Sequence, residues 1–127
     1  MAFKTAGGVV SGGLRTYVGP AGLLPGTAVK QGAADDAIVA VTGAGQRCLG
    51  VIEIVGPFGG TSYGVRRAGE TLGISGAALG ADVEVIVDAN GNLVPSTAEG
   101  DNVLGRTVTS CAATNSEVIV DVNPHTR

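Results

Sequence analysis

From residue 27 onward the chain is cut into short apolar runs, each closed by Gly, Pro, Asn or Asp, and helical spacing is nearly absent. The runs at 27–31, 37–41, 48–55, 62–66, 83–87, 92–95, 103–109 and 117–122 are rich in Val, Ile or Thr. Branched side chains suit a pleated, half-buried surface, so these runs predict β-strands. Asn123-Pro124 is expected to end the last of them. Residues 14–18, LRTYV, read as one further strand, and Gly76 to Leu79 leave room for a single helical turn at most. The 22 glycines follow no collagen-like period, and many fall between the runs, where turns are needed. The four aromatics are Phe3, Tyr17, Phe58 and Tyr63, so the core must be built of Val, Ile, Leu and Ala. At 127 residues the chain suffices for one domain. The expectation is an all-β fold, a small Gly-rich β-barrel or β-sandwich.

The pattern repeats. Shifted by 55, TGAGQRCLG (42–50) falls on TAEGDNVLG (97–105), matching Thr42, Gly45, Leu49 and Gly50 with Thr97, Gly100, Leu104 and Gly105. Chance supplies about one match in nine positions. Upstream, Gly26 and Val29 meet Gly80 and Val83 at an offset of 54, the slip falling at a predicted turn where insertions are tolerated. The organisation expected is an extended N-terminal arm over 1–26, holding one short strand, then a single β-domain over 27–127. That domain would contain two similar hairpin units, about 26–55 and 80–110, and a C-terminal strand.

One stretch of the second unit admits two readings. VIVDANGNLVPSTAE has Asp-x-Asn-x-Asn from Asp88, with Glu99 twelfth, close to the ligand spacing of a calcium loop. Such a loop needs Gly in sixth place and helical flanks, but the sixth residue is Leu93, the eighth is Pro95, and the flanks are strand-like. Asn90-Gly91 between apolar runs instead predicts a hairpin with a type I′ turn. The hairpin is preferred.

No metal, cofactor or catalytic site is expected. His125 is the single histidine and lies near the end of the sequence, and no phosphate loop, nucleophile elbow or zinc-protease motif is present. The chain reads as a non-enzyme, because no nucleophile, base and orienting group assemble. Arg66-Arg67 could clamp an anion, although a strand end or an interface salt bridge is the ordinary reading of such a pair. Cys48 and Cys111 read as free buried thiols in apolar runs; a disulfide or metal pair lacks supporting spacing. A net charge of −3 with no basic run argues against nucleic acid. MAFKTAGGVVSGG lacks a signal-peptide core, and no run of 18 apolar residues suggests a membrane span, so synthesis in the cytosol is expected.

LGADVEVIVDANGNLVPSTAEGDNVLGRTV, followed by EVIVDV, resembles the capsid cement or head decoration proteins of tailed bacteriophages. The likeness rests on Gly80 and Val83, Asp88 to Gly91, Leu104-Gly105 and Val118 to Val122, with PGTAV and CLGVIEI repeating the pattern, and covers about 20–123. It implies a structural virion protein on the outer capsid surface, binding the major capsid protein, bridging its subunits and self-associating, often as a homotrimer. Aromatics are favoured interface anchors, so Phe3, Leu14, Tyr17, Phe58 and Tyr63 are candidate partner-binding residues with Arg66 and Arg67. Tyr17 and Tyr63 serve equally well as caps of the core. A carbohydrate- or ligand-binding β-module, or another tail or neck component of a virion, is the alternative.

Overall fold

The structure, a computed structural model, describes residues 13–56 and 61–127. Among the described residues ten strands run in order: β1 (Leu14–Val18), β2 (Ala28–Gln31), β3 (Ile38–Ala40), β4 (Gly50–Val55), β5 (Ser62–Arg66), β6 (Gly69–Ile74), β7 (Glu84–Val87), β8 (Leu93–Pro95), β9 (Asn102–Thr107) and β10 (Glu117–Thr126). They form two five-stranded antiparallel sheets, β1-β5-β4-β2-β3 and β6-β10-β9-β7-β8. The fold is all-β.

The two sheets use the same strand order, with β6 to β10 taking the places of β1 to β5. Gly50 pairs with Val29 in the first, and Gly105 pairs with Val85 in the second. The offset of 55 between the two Leu-Gly dipeptides therefore marks equivalent backbone positions. The upstream offset does not: Val85, rather than Val83, occupies the place of Val29. Each glycine has a steric cause. A Cβ at Gly50 would run into the carbonyl of Arg66, and one at Gly105 into that of Asp121.

Each sheet curls until its first strand touches the start of its third through one parallel bridge, Val18 to Ala37 in one and Ser75 to Leu93 in the other. The contact is limited to that bridge, so neither sheet is a closed barrel. The first sheet wraps Tyr17, Val29, Ile38, Ile52, Tyr63 and Val65. A second cluster joins Val85, Val87, Leu93, Leu104, Val118, Val120 and Val122 to Ala28, Val41 and Val51 from the first sheet's other face. Burial on both faces explains why Ala28-Val29 and Gly50-Val51-Ile52 are buried without alternation.

Several local expectations change. The strand at 14–18 is not part of a detached arm: β1 pairs with β5 at five positions, and Gly26 N–H donates to the Ile52 carbonyl. β6 was not legible as a strand. Gly73 permits it, because a Cβ there would lie 2.8 Å from Leu93 Cδ1 in the core. Gly76 to Leu79 form no helical turn; Leu79 bridges Cys111. The final strand passes Asn123-Pro124 and ends at Thr126, with a register shift between Val122 and His125. An irregularity at this point accommodates a proline, which has no N–H to give a ladder.

The Asp88 hairpin is present, but its turn is not type I′. Val87 pairs with Leu93 and Asp88 N–H donates to the Asn92 carbonyl, leaving Ala89, Asn90 and Gly91 as the loop. Gly91 has φ +82°, while Asn90 is not among the positive-φ residues. This is a three-residue hairpin whose glycine takes the left-handed position. The Asp88 carboxylate accepts from the N–H groups of Asn90 and Asn92 at 2.9 and 3.0 Å. Its place in the Asp-x-Asn-x-Asn run is that of a turn residue.

Candidate functional site

The β4–β5 ladder slips by one residue between Ile52 and Ile54, and Glu53 is the extra residue. A bulge re-aims its side chain, and here the carboxylate reaches both a neighbouring strand and the other sheet. Glu53 Oε1 accepts from Arg66 Nε at 2.9 Å and from Thr71 Oγ1 at 2.9 Å, while Oε2 accepts from Arg66 Nη2 at 2.9 Å. The pair is bidentate, and it ties β4 and β5 to β6. The Arg66 guanidinium holds the Glu53 carboxyl below its usual range, with partial burial opposing and the Thr71 hydroxyl assisting. Both charges of the pair are thus committed within the molecule.

Beside this buckle lies a cleft of about 340 Å³ between the two sheets, lined by Pro25, Gly26, Ile52, Glu53, Thr71, Leu72, Ile74 and Glu117. Its walls are mainly aliphatic, with carboxylates at Glu53 and Glu117. Leu72, a lining residue, is 51% exposed, and Leu24, next to Pro25 in the chain, is 67% exposed. Ile54 and Val18 are exposed on the outer face of the first sheet, where Val18 pairs with Ser62 and Ile54 with Gly64. Exposed aliphatic side chains such as Leu24 and Leu72 beside a cleft are the ordinary material of a docking surface.

The residues expected to bind a partner are dispersed. Phe3 and Phe58 lie outside the described residues. Leu14 is half-buried on β1. Tyr17 and Tyr63 are core residues, each 1% exposed, so their rings line the interior of the first sheet rather than a face open to a partner. Arg66 belongs to the Glu53 pair, whereas Arg67 lies just beyond β5 and faces a second cleft with Arg47. Leu24, Leu72, Ile54 and Val18 were missed, because an isolated aliphatic residue in a strand or loop carries no sign of which face it will take.

His125 is placed by β10, where it pairs with Val103. Its Nδ1 lies 2.7 Å from the Asn123 carbonyl and its Nε2 lies 3.1 Å from Glu84 Oε2. Two acceptors at two ring nitrogens favour the imidazolium, and the His125 pKa is raised, first by the Asn123 carbonyl and then by Glu84. Arg106 and Arg127 approach the same Glu84 carboxylate at 3.7 and 3.8 Å. The group knits β7, β9 and β10 across one face. Among the described residues, no three His, Cys, Asp or Glu side chains are grouped as metal ligands. Cys48 and Cys111 are free thiols, the first buried and the second half-buried.

No protein family profile matches the chain, and no curated protein matches it in sequence. Among solved structures, the chain is similar to the head fiber gp8.5 N base in bacteriophage phi29. The two share a TM-score of 0.64 and 16% sequence identity over 87% of this chain and 92% of that one. At that identity the likeness is one of fold.

Proposed function

We propose that this chain is a structural protein of a bacteriophage virion that docks on the outer surface of the assembled head and steadies it by bridging major capsid protein subunits. The observation that carries the reading is the shared fold: a phage head fiber base has this architecture over nearly the full length of both chains. The resemblance of the LGADVEVIVDANG and LGRTV stretches to head decoration proteins points the same way. The surface suits the role. Leu24, Leu72, Ile54 and Val18 offer apolar contact, and the Glu53–Arg66–Thr71 buckle keeps the two sheets in a fixed relation as each meets the lattice.

In this reading the chain makes and breaks no bond. It acts as a homo-oligomer, a trimer in keeping with the family resemblance, placed where capsid subunits meet. Once one protomer is held, the others bind at high local concentration, so weak single contacts suffice. Binding to the assembled lattice in preference to separate subunits stabilises the lattice by mass action.

The test is sedimentation of the purified chain with assembled heads and, separately, with unassembled major capsid protein. Saturable binding to heads, with little to the free subunits, is expected. Equal binding to both, or none to heads, would overturn the proposal.

A further inference from the structure

We infer that the cleft shared by Arg47 and Arg67 is a socket for a carboxylate carried by an acidic segment of a partner protein. The cleft, about 450 Å³, is lined by Gly13, Cys48, Leu49, Ala68 and Pro124 besides the two arginines, and no carboxylate lines it. Arg67 lies in the two-residue link between β5 and β6, and Arg47 lies just before β4, the strand that pairs with β5. Topology therefore brings two arginines to the lining of one opening from positions twenty residues apart in the chain.

What distinguishes these arginines is the absence of a mate. Arg66 is paired with Glu53, Arg106 with Asp82 and Glu84, and Arg127 with Glu84, while Arg15 lies over the Tyr17 ring. Among the described residues, neither the Arg47 nor the Arg67 side chain has a hydrogen-bond or ion-pair partner, although the Arg67 backbone N–H donates to the Gly13 carbonyl. In a chain of net charge −3, two uncommitted guanidiniums facing one cleft form a local positive site on an acidic molecule.

The walls indicate the class of ligand. A guanidinium fork matches a carboxylate in two parallel hydrogen bonds. Leu49 and Pro124 supply apolar surface for the aliphatic stem that carries such a group. Nucleic acid fits less well, because it calls for a track of cations and for aromatic faces to stack its bases, and among the described residues no aromatic lines this cleft. The inference rests on the docking reading only for the identity of the partner; the chemistry of the socket stands without it.

The experiment uses the isotope-labelled full chain, followed by NMR while a capped hexapeptide of alternating leucine and glutamate is added. The comparison ligands are the same peptide with glutamine, inorganic phosphate and a single-stranded oligonucleotide. Saturable shifts centred on Gly13, Arg47, Leu49 and Arg67 are expected with the acidic peptide alone. Affinity should fall roughly tenfold in Arg47→Gln and in Arg67→Gln, and hold in Arg106→Gln, whose site lies elsewhere. Arg47 is exposed, so its variant keeps the fold and leaves the result readable. Failure to saturate, shifts centred elsewhere, or equally tight binding of phosphate or oligonucleotide would overturn the inference. Peptide binding without head binding would retire the virion reading and leave the socket; head binding untouched by Arg47→Gln and Arg67→Gln, with no peptide bound, would do the reverse.

Discussion

Tyr17 and Tyr63 stand directly opposite each other across the β1–β5 ladder, each 1% exposed, yet among the described residues only the Tyr63 hydroxyl has a hydrogen-bond partner. Tyr63 Oη donates to the Pro20 carbonyl and accepts from Leu23 N–H at 3.3 Å, pinning the β1–β2 connection over the core. Tyr17 Oη is buried with no partner among the described residues. The two phenylalanine substitutions should therefore separate. Tyr63→Phe removes a hydroxyl bonded to two part-buried backbone groups, at a cost of about 1 kcal/mol. Tyr17→Phe removes an unsatisfied one and should leave stability unchanged or raise it by up to about 1 kcal/mol. Urea unfolding of both variants decides, and equal losses would contradict the assignment.

Gly50 and Gly105 occupy the same position in the two sheets, each facing a partner-strand carbonyl. Gly50→Ala and Gly105→Ala should each cost roughly 2–3 kcal/mol, because backbone on the neighbouring strand must move. Gly43 has only the Gln46 side chain nearby, at 3.8 Å, and Gly43→Ala should stay within about 0.5 kcal/mol. A tolerated alanine at either Leu-Gly site would remove the steric account of the repeat.

These glycines also show what can be read in advance. Leu49-Gly50 and Leu104-Gly105 stand out as a repeated dipeptide, and the strands around Tyr17, Val65 and Val120 announce themselves through branched and aromatic residues. Carbonyl contact behind each glycine is invisible in one dimension. So is β6, where Gly69, Glu70 and Gly73 depress strand propensity and tertiary packing against Leu93 overrides it. The two clefts were hidden for another reason: Gly26 nears Ile74 only once the two sheets pack, and Arg47 and Arg67 line one cleft only once β4 pairs with β5.

Stability should fall at both ends of the pH range. Folded Glu53 ionises below the ordinary value of 4.5, so its contribution is complete above that value and is lost as pH falls through the folded-state pKa. Asp101, held down first by the Ala98 N–H and then by the Ser96 hydroxyl, acts in the same direction. His125 has the opposite sign. Its pKa is raised above 6.5, so its contribution is complete below 6.5 and is lost as pH rises through the folded-state value. Urea midpoints measured against pH should lose part of the acid limb in Glu53→Gln and the neutral limb in His125→Asn. Unchanged profiles would contradict both assignments.

Burial pushes the Cys48 thiol up to about 11, against a smaller opposing pull from Lys30, so the native protein holds little Cys48 thiolate near neutrality. Cys111 is half-buried, packed at the edge of the core. Alkylation at pH 8 should reach Cys111 first and Cys48 only after denaturant is added. Mass spectrometry of the labelled chain would contradict this if Cys48 reacted as fast as Cys111 in the native state.

Docking on the head is tested most directly by electron cryomicroscopy of purified virions with and without this chain. The account predicts difference density on the outside of the head, at junctions between capsid subunits, into which the two five-stranded sheets fit. Heads identical in the two preparations, or density confined to the tail or neck, would contradict it.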